Sequence, residues 1–195
     1  MADDVKVEVR RSGRRFDAEA VLDLGADVQT VWDTITDYAA LPSFMPGIRS
    51  CRVLEREAAA PGAGVPAAEQ LVVEQRGEFR FLLFAQPMTV RLHIEHQPLH
   101  MAEAKAVQFD LGIFKRRVID VFEGRYELLP MAVRGRAPRM QLRYTAVIGL
   151  HLPPPPAIGS MAVRQNLAQQ LHAVAAEVAR RSSRPASKPR SRPTR

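Results

Sequence analysis

The stretch from Arg139 to Arg181 reads RMQLRYTAVIGLHLPPPPAIGSMAVRQNLAQQLHAVAAEVARR. Its first part alternates: Met140, Leu142, Tyr144, Ala146, Ile148 and Leu150 fall on one side, Arg139, Gln141, Arg143, Thr145 and His151 on the other. That is the period of a strand with one wet face. Pro153 to Pro156 follow, with fixed φ and no N–H to donate, and read as a stiff extended arm. Beyond the arm, Val163, Leu167, Leu171, Val174 and Val178 recur at helical spacing, which predicts a helix over 158–181. At about 1.5 Å per residue such a helix spans roughly 36 Å, enough to cross a whole sheet. Its apolar stripe needs a large apolar surface to cover it, and the alternating strand supplies one edge of that surface. The fold class is therefore α+β, a long helix laid on an antiparallel sheet.

Working outward, Phe16, Ala18, Ala20, Leu22 and Leu24 alternate with Asp17, Glu19 and Asp23, a first strand. Asp27 is placed to cap a helix through Val31, Trp32 and Ile35 that stops near Asp37. The segment 38–47 holds Leu41, Phe44 and Met45 beside two prolines, Pro42 and Pro46, which restrict it to a short helix or turn. A strand over 48–55 and a loop over 57–67, built from Ala, Gly and Pro, come next. Strands are then expected over 69–84, 87–96, 100–109 and 118–129, with a loop over 130–138. In the second of these, Met88, Val90, Leu92 and Ile94 share one face and Thr89, Arg91, His93 and Glu95 the other.

A chain of 195 residues with 46% hydrophobic and 25% charged residues is the size and composition of one folded domain. We set its bounds at 15–181, with an extension over 1–14 and a disordered basic tail over 182–195. The net charge of +7 equals the seven cations from Val178 onward: Arg180, Arg181, Arg184, Lys188, Arg190, Arg192 and Arg195. Residues 1–177 are thus electrically balanced. Ser, Pro and Arg cannot bury enough apolar surface to offset chain entropy, so the tail reads as solvated, with loose attraction to an anionic membrane or RNA as the alternative. Cys51, the single cysteine, has no partner for an internal disulfide, and the acidic start Met1-Ala2-Asp3-Asp4 has no apolar run. The expected location is the cytoplasm.

The order of strand, two short helices, about six more strands and a long helix is the topology of the START-like, helix-grip (SRPBCC) superfamily. The wording of 26–38 (ADVQTVWDTITDY), 41–47 (LPSFMPG) and 122–128 (FEGRYEL), with the proline arm, resembles its polyketide cyclase/dehydrase and coenzyme Q-binding branch. The resemblance covers about residues 15–181. It implies a curved antiparallel sheet of about seven strands wrapped on the C-terminal helix, with two short helices after strand one. It leaves function open, because this scaffold hosts lipid carriers, cyclases, hormone receptors and ribosome-associated factors alike.

A helix that does not close fully on a curved sheet leaves a chamber. Strand phase assigns its wall to Phe79, Phe81, Met88, Val90, Leu92, Phe122, Tyr126, Met140, Leu142 and Tyr144, and the helix adds Met161 and Leu171; solid core packing is the competing reading for each. Tyr126, Tyr144 and His96 share the wall's parity and can offer it polar groups; a tip reaching water at the sheet's end is the alternative. His93 and His96 point to opposite faces of a strand, so one metal ion cannot take both, and no cysteine cluster or His-Glu-x-x-His helix is present. No Gly-x-Ser-x-Gly elbow occurs, and Gly62-Ala-Gly64 precedes a strand, so neither an activated serine nor a phosphate loop is supported. No cofactor is expected. The leading expectation is non-enzymatic binding of a quinone, lipid, isoprenoid or polyketide. The alternatives are a polyketide cyclase/dehydratase, with Tyr126, Tyr144 or His96 moving protons, and a ribosome- or RNA-associated factor using the tail.

Overall fold

The computed structural model describes residues 5–58, 68–81, 84–110, 119–131, 139–151 and 156–183. Eight strands are β1 (Lys6–Ser12), β2 (Arg15–Leu24), β3 (Ile48–Ala58), β4 (Glu69–Phe81), β5 (Phe84–Gln97), β6 (Met101–Asp110), β7 (Ile119–Met131) and β8 (Arg139–Leu150). Three helices are α1 (Val28–Thr36), α2 (Leu41–Phe44) and α3 (Pro156–Ser182). The strands form one curved antiparallel sheet in the order β1-β2-β8-β7-β6-β5-β4-β3. The connection through α1 and α2 carries the chain from β2 to the opposite edge, from where β3 to β8 return as a meander.

The count of about seven strands is corrected to eight. The added strand, β1, arises from the stretch set aside as an extension, and pairs with β2 from Lys6↔Val21 to Ser12↔Arg15. Its alternation is carried by Val5, Val7 and Val9, small side chains only partly buried against the core. So short a signal shows its meaning only beside β2. β8 keeps one phase throughout, with every residue from Met140 to Leu150 at even positions buried. β6 does not. A bulge at Val107, which is 57% exposed, switches the inward face from Ala102, Ala104 and Ala106 to Phe109. A similar shift lies between Ile119 and Val121 of β7.

α1 begins where its cap predicts: the Asp27 carboxylate accepts from the Thr30 N–H at 2.8 Å and from the Thr30 hydroxyl at 2.8 Å. Its inward side buries Val31, Trp32, Thr34 and Ile35. α3 begins at Pro156, a proline tolerated in a first turn because no donor is needed there; it was expected in the arm, whose residues 153–155 lie outside the described residues. Val163, Leu167, Leu171, Val174 and Val178 are all buried, and α3 packs closest to β1, β2 and α1. At its end Arg181 donates to Glu177 (2.7 Å), Asp37 (2.9 Å) and the Asp33 carbonyl (3.1 Å), fastening α3 to α1. Arg180 also pairs with Glu177 at 2.6 Å. Two of the seven cations counted from Val178 onward are therefore held in the folded body, and the other five lie outside the described residues.

Candidate functional site

Because α3 packs closest to β1 and β2, it stands off from the middle of the sheet. Ala102 and Ala104 of β6 and Gly124 of β7 face inward there and add almost no bulk, with Ala104 directly opposite Gly124. Large side chains at these positions would fill the space; these leave a cavity of ≈ 230 Å³. Met88, Val90, Leu92 and Ile94 of β5 form one wall, and Phe109, Ile119, Phe122 and Ile148 another. Ile35, Leu41 and Met45 close it from the side of α1 and α2, and Leu167 and Val174 of α3 form the roof, with Asn166 and Gln170 beside them. Pro46, Gly47 and Arg76, all exposed, mark the end at which the chamber opens to solvent.

Two polar groups of the chamber, Tyr126 and Tyr144, share one rung of the sheet with Glu69 and His96. Glu69 of β4 pairs with His96 of β5, His96 with Ala102 of β6, Ala102 with Tyr126 of β7, and Tyr126 with Tyr144 of β8. His96 Nε2 lies 2.7 Å from the Tyr38 hydroxyl, and its Nδ1 lies 3.1 Å from Glu69 Oε2. The Tyr38 ring stacks on the imidazole at 5.8 Å, and Trp32 meets it edge-on at 5.2 Å. Burial lowers the His96 pKa below the usual value, outweighing Glu69. The Tyr126 and Tyr144 rings lie 4.5 Å apart, and neither hydroxyl has a protein hydrogen-bond partner among the described residues. Burial pushes the Tyr126 phenol up to about 12, and pushes those of Tyr38 and Tyr144 higher still.

Of the residues assigned from sequence, Met88, Val90, Leu92, Phe122, Tyr126 and Tyr144 meet at this cavity. Met140, Leu142 and Leu171 belong to the close-packed core instead, because the α3 side of the sheet closes over them. Met161 is 48% exposed: two positions before Val163, it falls outside the buried stripe. Phe79 and Phe81 are in β4, with side chains outside the described residues. His96 is buried as its parity requires, behind Tyr38 and not on the wall. Tyr38 and Glu69 were missed. Tyr38 follows the end of α1, where no periodicity fixes a direction, and Glu69 meets His96 only through strand register.

The outer face of the sheet carries the charges. Glu74 bonds Arg52 at 3.0 Å and Arg76 at 3.1 Å, and Glu103 faces Lys105 and Arg125. His93 is exposed on that face, opposite in direction to His96. Cys51 is buried, and its thiol is pushed up to about 11, so it is a poor nucleophile at neutral pH. Among the described residues, no helix is long and apolar enough to cross a membrane.

A family model described as polyketide cyclase / dehydrase and lipid transport matches residues 24–174. No curated protein matches the chain. Solved structures resemble it in fold. A START superfamily protein from Mycobacterium smegmatis aligns at 16% identity and TM-score 0.61, over 84% of this chain and 97% of its own. The Zhui aromatase/cyclase from a Streptomyces species aligns at 16% identity and TM-score 0.61, over 86% and 95%. A STAR-related lipid transfer protein from Xanthomonas axonopodis aligns at 14% identity and TM-score 0.62, over 90% and 93%.

Proposed function

The chain belongs to the polyketide cyclase / dehydrase and lipid transport family, and we propose that within it this protein binds and delivers a compact, ring-bearing apolar molecule without transforming it. The observation that carries this reading is a chamber floored by Ala102, Ala104 and Gly124 and walled by aliphatic and aromatic side chains. Its volume narrows the ligand class. A cavity of about 150 Å³ holds benzene, while drug-sized ligands occupy about 300–1,000 Å³. At ≈ 230 Å³ the chamber suits one or two fused rings. Burial of the ligand's apolar surface, at about 25 cal/mol per Å² before association costs, drives the binding.

The reading as a cyclase/dehydratase has one feature in its favour: Tyr126, Tyr144 and His96 lie on one rung, with Tyr38 bonded to His96. Efficient proton transfer, however, uses groups whose pKa lies near the working pH. Burial moves all three phenols upward and the imidazole downward, which suits fixed hydrogen bonding better than proton exchange. The test is equilibrium dialysis of naphthalene against the wild-type chain and an Ala104→Phe variant, whose ring occupies the chamber floor. Wild-type protein should retain about one naphthalene per chain and the variant should retain almost none. Equal retention by both, with both folded, would place binding elsewhere and overturn the proposal.

A further inference from the structure

The rung also has a polarity, set by where its protons must lie. An ionised carboxylate only accepts, and Glu69 faces both Arg56 at 3.2 Å and His96 Nδ1 at 3.1 Å. The imidazole proton therefore sits on Nδ1. A neutral ring then has a bare Nε2, and the Tyr38 hydroxyl, 2.7 Å away, must donate to it. Tyr38 has spent its only proton and, toward anything in the chamber it lines, can act solely as an acceptor. Tyr126 and Tyr144 are the reverse. Each keeps an unspent O–H, and their rings lie side by side. A carbonyl oxygen has two lone pairs, so one carbonyl can satisfy both.

Between the two stations the rung carries only Ala102, whose methyl leaves the space open. Adjacent strands lie about 4.8 Å apart, so the His96 and Tyr126 backbones are separated by roughly 10 Å. Resting on the ligand-binding reading above, we infer that the chamber selects apolar ring systems bearing a hydroxyl at one end and a carbonyl at the other. The Tyr38 oxygen accepts from the hydroxyl, and the Tyr126–Tyr144 pair donates to the carbonyl. The burial that keeps His96 neutral also keeps this polarity from reversing at neutral pH.

The test compares naphthalene, 2-naphthol, 2-acetylnaphthalene and 6-acetyl-2-naphthol by equilibrium dialysis at neutral pH against the full chain. Each polar group should tighten binding by about tenfold over naphthalene, the value of one uncharged hydrogen bond at a desolvated site. Tyr38→Phe should cancel the gain from the hydroxyl and leave that from the acetyl group. Tyr126→Phe and Tyr144→Phe together should do the opposite, and Tyr144→Phe alone should lose part of the gain from the acetyl group and keep that from the hydroxyl. Nitrogen-15 shifts of His96 in wild-type protein should report the Nδ1-protonated tautomer. Binding of naphthalene as tight as that of the other three would overturn the polar selection while leaving the chamber's apolar function intact. Failure of all four probes to bind would overturn both. An Nε2-protonated His96, or a hydroxyl gain lost in Tyr144→Phe but kept in Tyr38→Phe, would show the polarity to be reversed. The wild-type comparison and the tautomer need no variant, so they decide the matter even if a variant fails to fold.

Discussion

At the scale of single residues, two glycines define the chamber in different ways. A Cβ on Gly124 would stand 2.7 Å from the Tyr144 hydroxyl, the far end of a side chain that can swing aside. Gly124→Ala should therefore leave the thermal midpoint nearly unchanged while displacing that hydroxyl, and 2-acetylnaphthalene should bind severalfold more weakly. Unchanged affinity would show that the hydroxyl does not meet the carbonyl. Gly77 is less forgiving. A Cβ there would lie 2.0 Å from the carbonyl oxygen of Gly47, which itself holds φ +82° and accepts from the Glu78 N–H at 2.8 Å. Backbone against backbone cannot yield cheaply, so Gly77→Ala should cost about 1–3 kcal/mol or more in chemical denaturation. Neither role is visible in sequence, where both glycines sit inside strand patterns and offer no more than a hint of close approach.

At the scale of elements, α3 was legible from its spacing alone, because five apolar residues at intervals of three and four leave one stripe to bury. Leu171 is 1% exposed, and Leu171→Ala should cost about 2–5 kcal/mol; an unchanged unfolding midpoint would contradict its docking. The end of α3 was legible only in part. Glu177 accepts from Arg180 and Arg181, whose guanidinium groups hold its carboxyl down to about 2. The ordinary value is 4.5 and the folded value lies below it. The stability this adds is therefore fully present above about pH 4.5 and is lost as the pH falls toward about 2. Glu177→Gln should lower stability at neutral pH, and the gap from wild type should close across that window in acid unfolding curves. A gap independent of pH would mean that the clasp is not electrostatic. β6 departs from simple alternation for a definite reason: the bulge at Val107 reverses its inward phase partway along, and a fixed period of two cannot follow that.

At the scale of the whole molecule, five cations remain beyond the described body: Arg184, Lys188, Arg190, Arg192 and Arg195. A chain ending at Ser183 should keep its thermal midpoint and its naphthalene binding. It should lose most salt-sensitive retention on anionic phosphatidylserine vesicles, since attraction of dispersed surface charges is screened over about 10 Å at 0.1 M salt. Full retention would place the basic site on the body. The sequence by itself determined the architecture and half the chamber wall, because burial of one face imposes a period on every regular element, and a one-residue slip would bury Arg91, Arg143 and their neighbours. Tertiary structure alone decided which inward residues border empty space and which are packed solid. Met140 and Tyr144 share a strand and a phase, yet one is in the core and the other at the chamber, because α3 crosses the β1–β2 side of the sheet and small residues floor the rest. It also decided the Glu69–His96–Tyr38 chain, since register between strands and the direction of a loop tyrosine are properties of the assembled sheet and leave no period in the sequence.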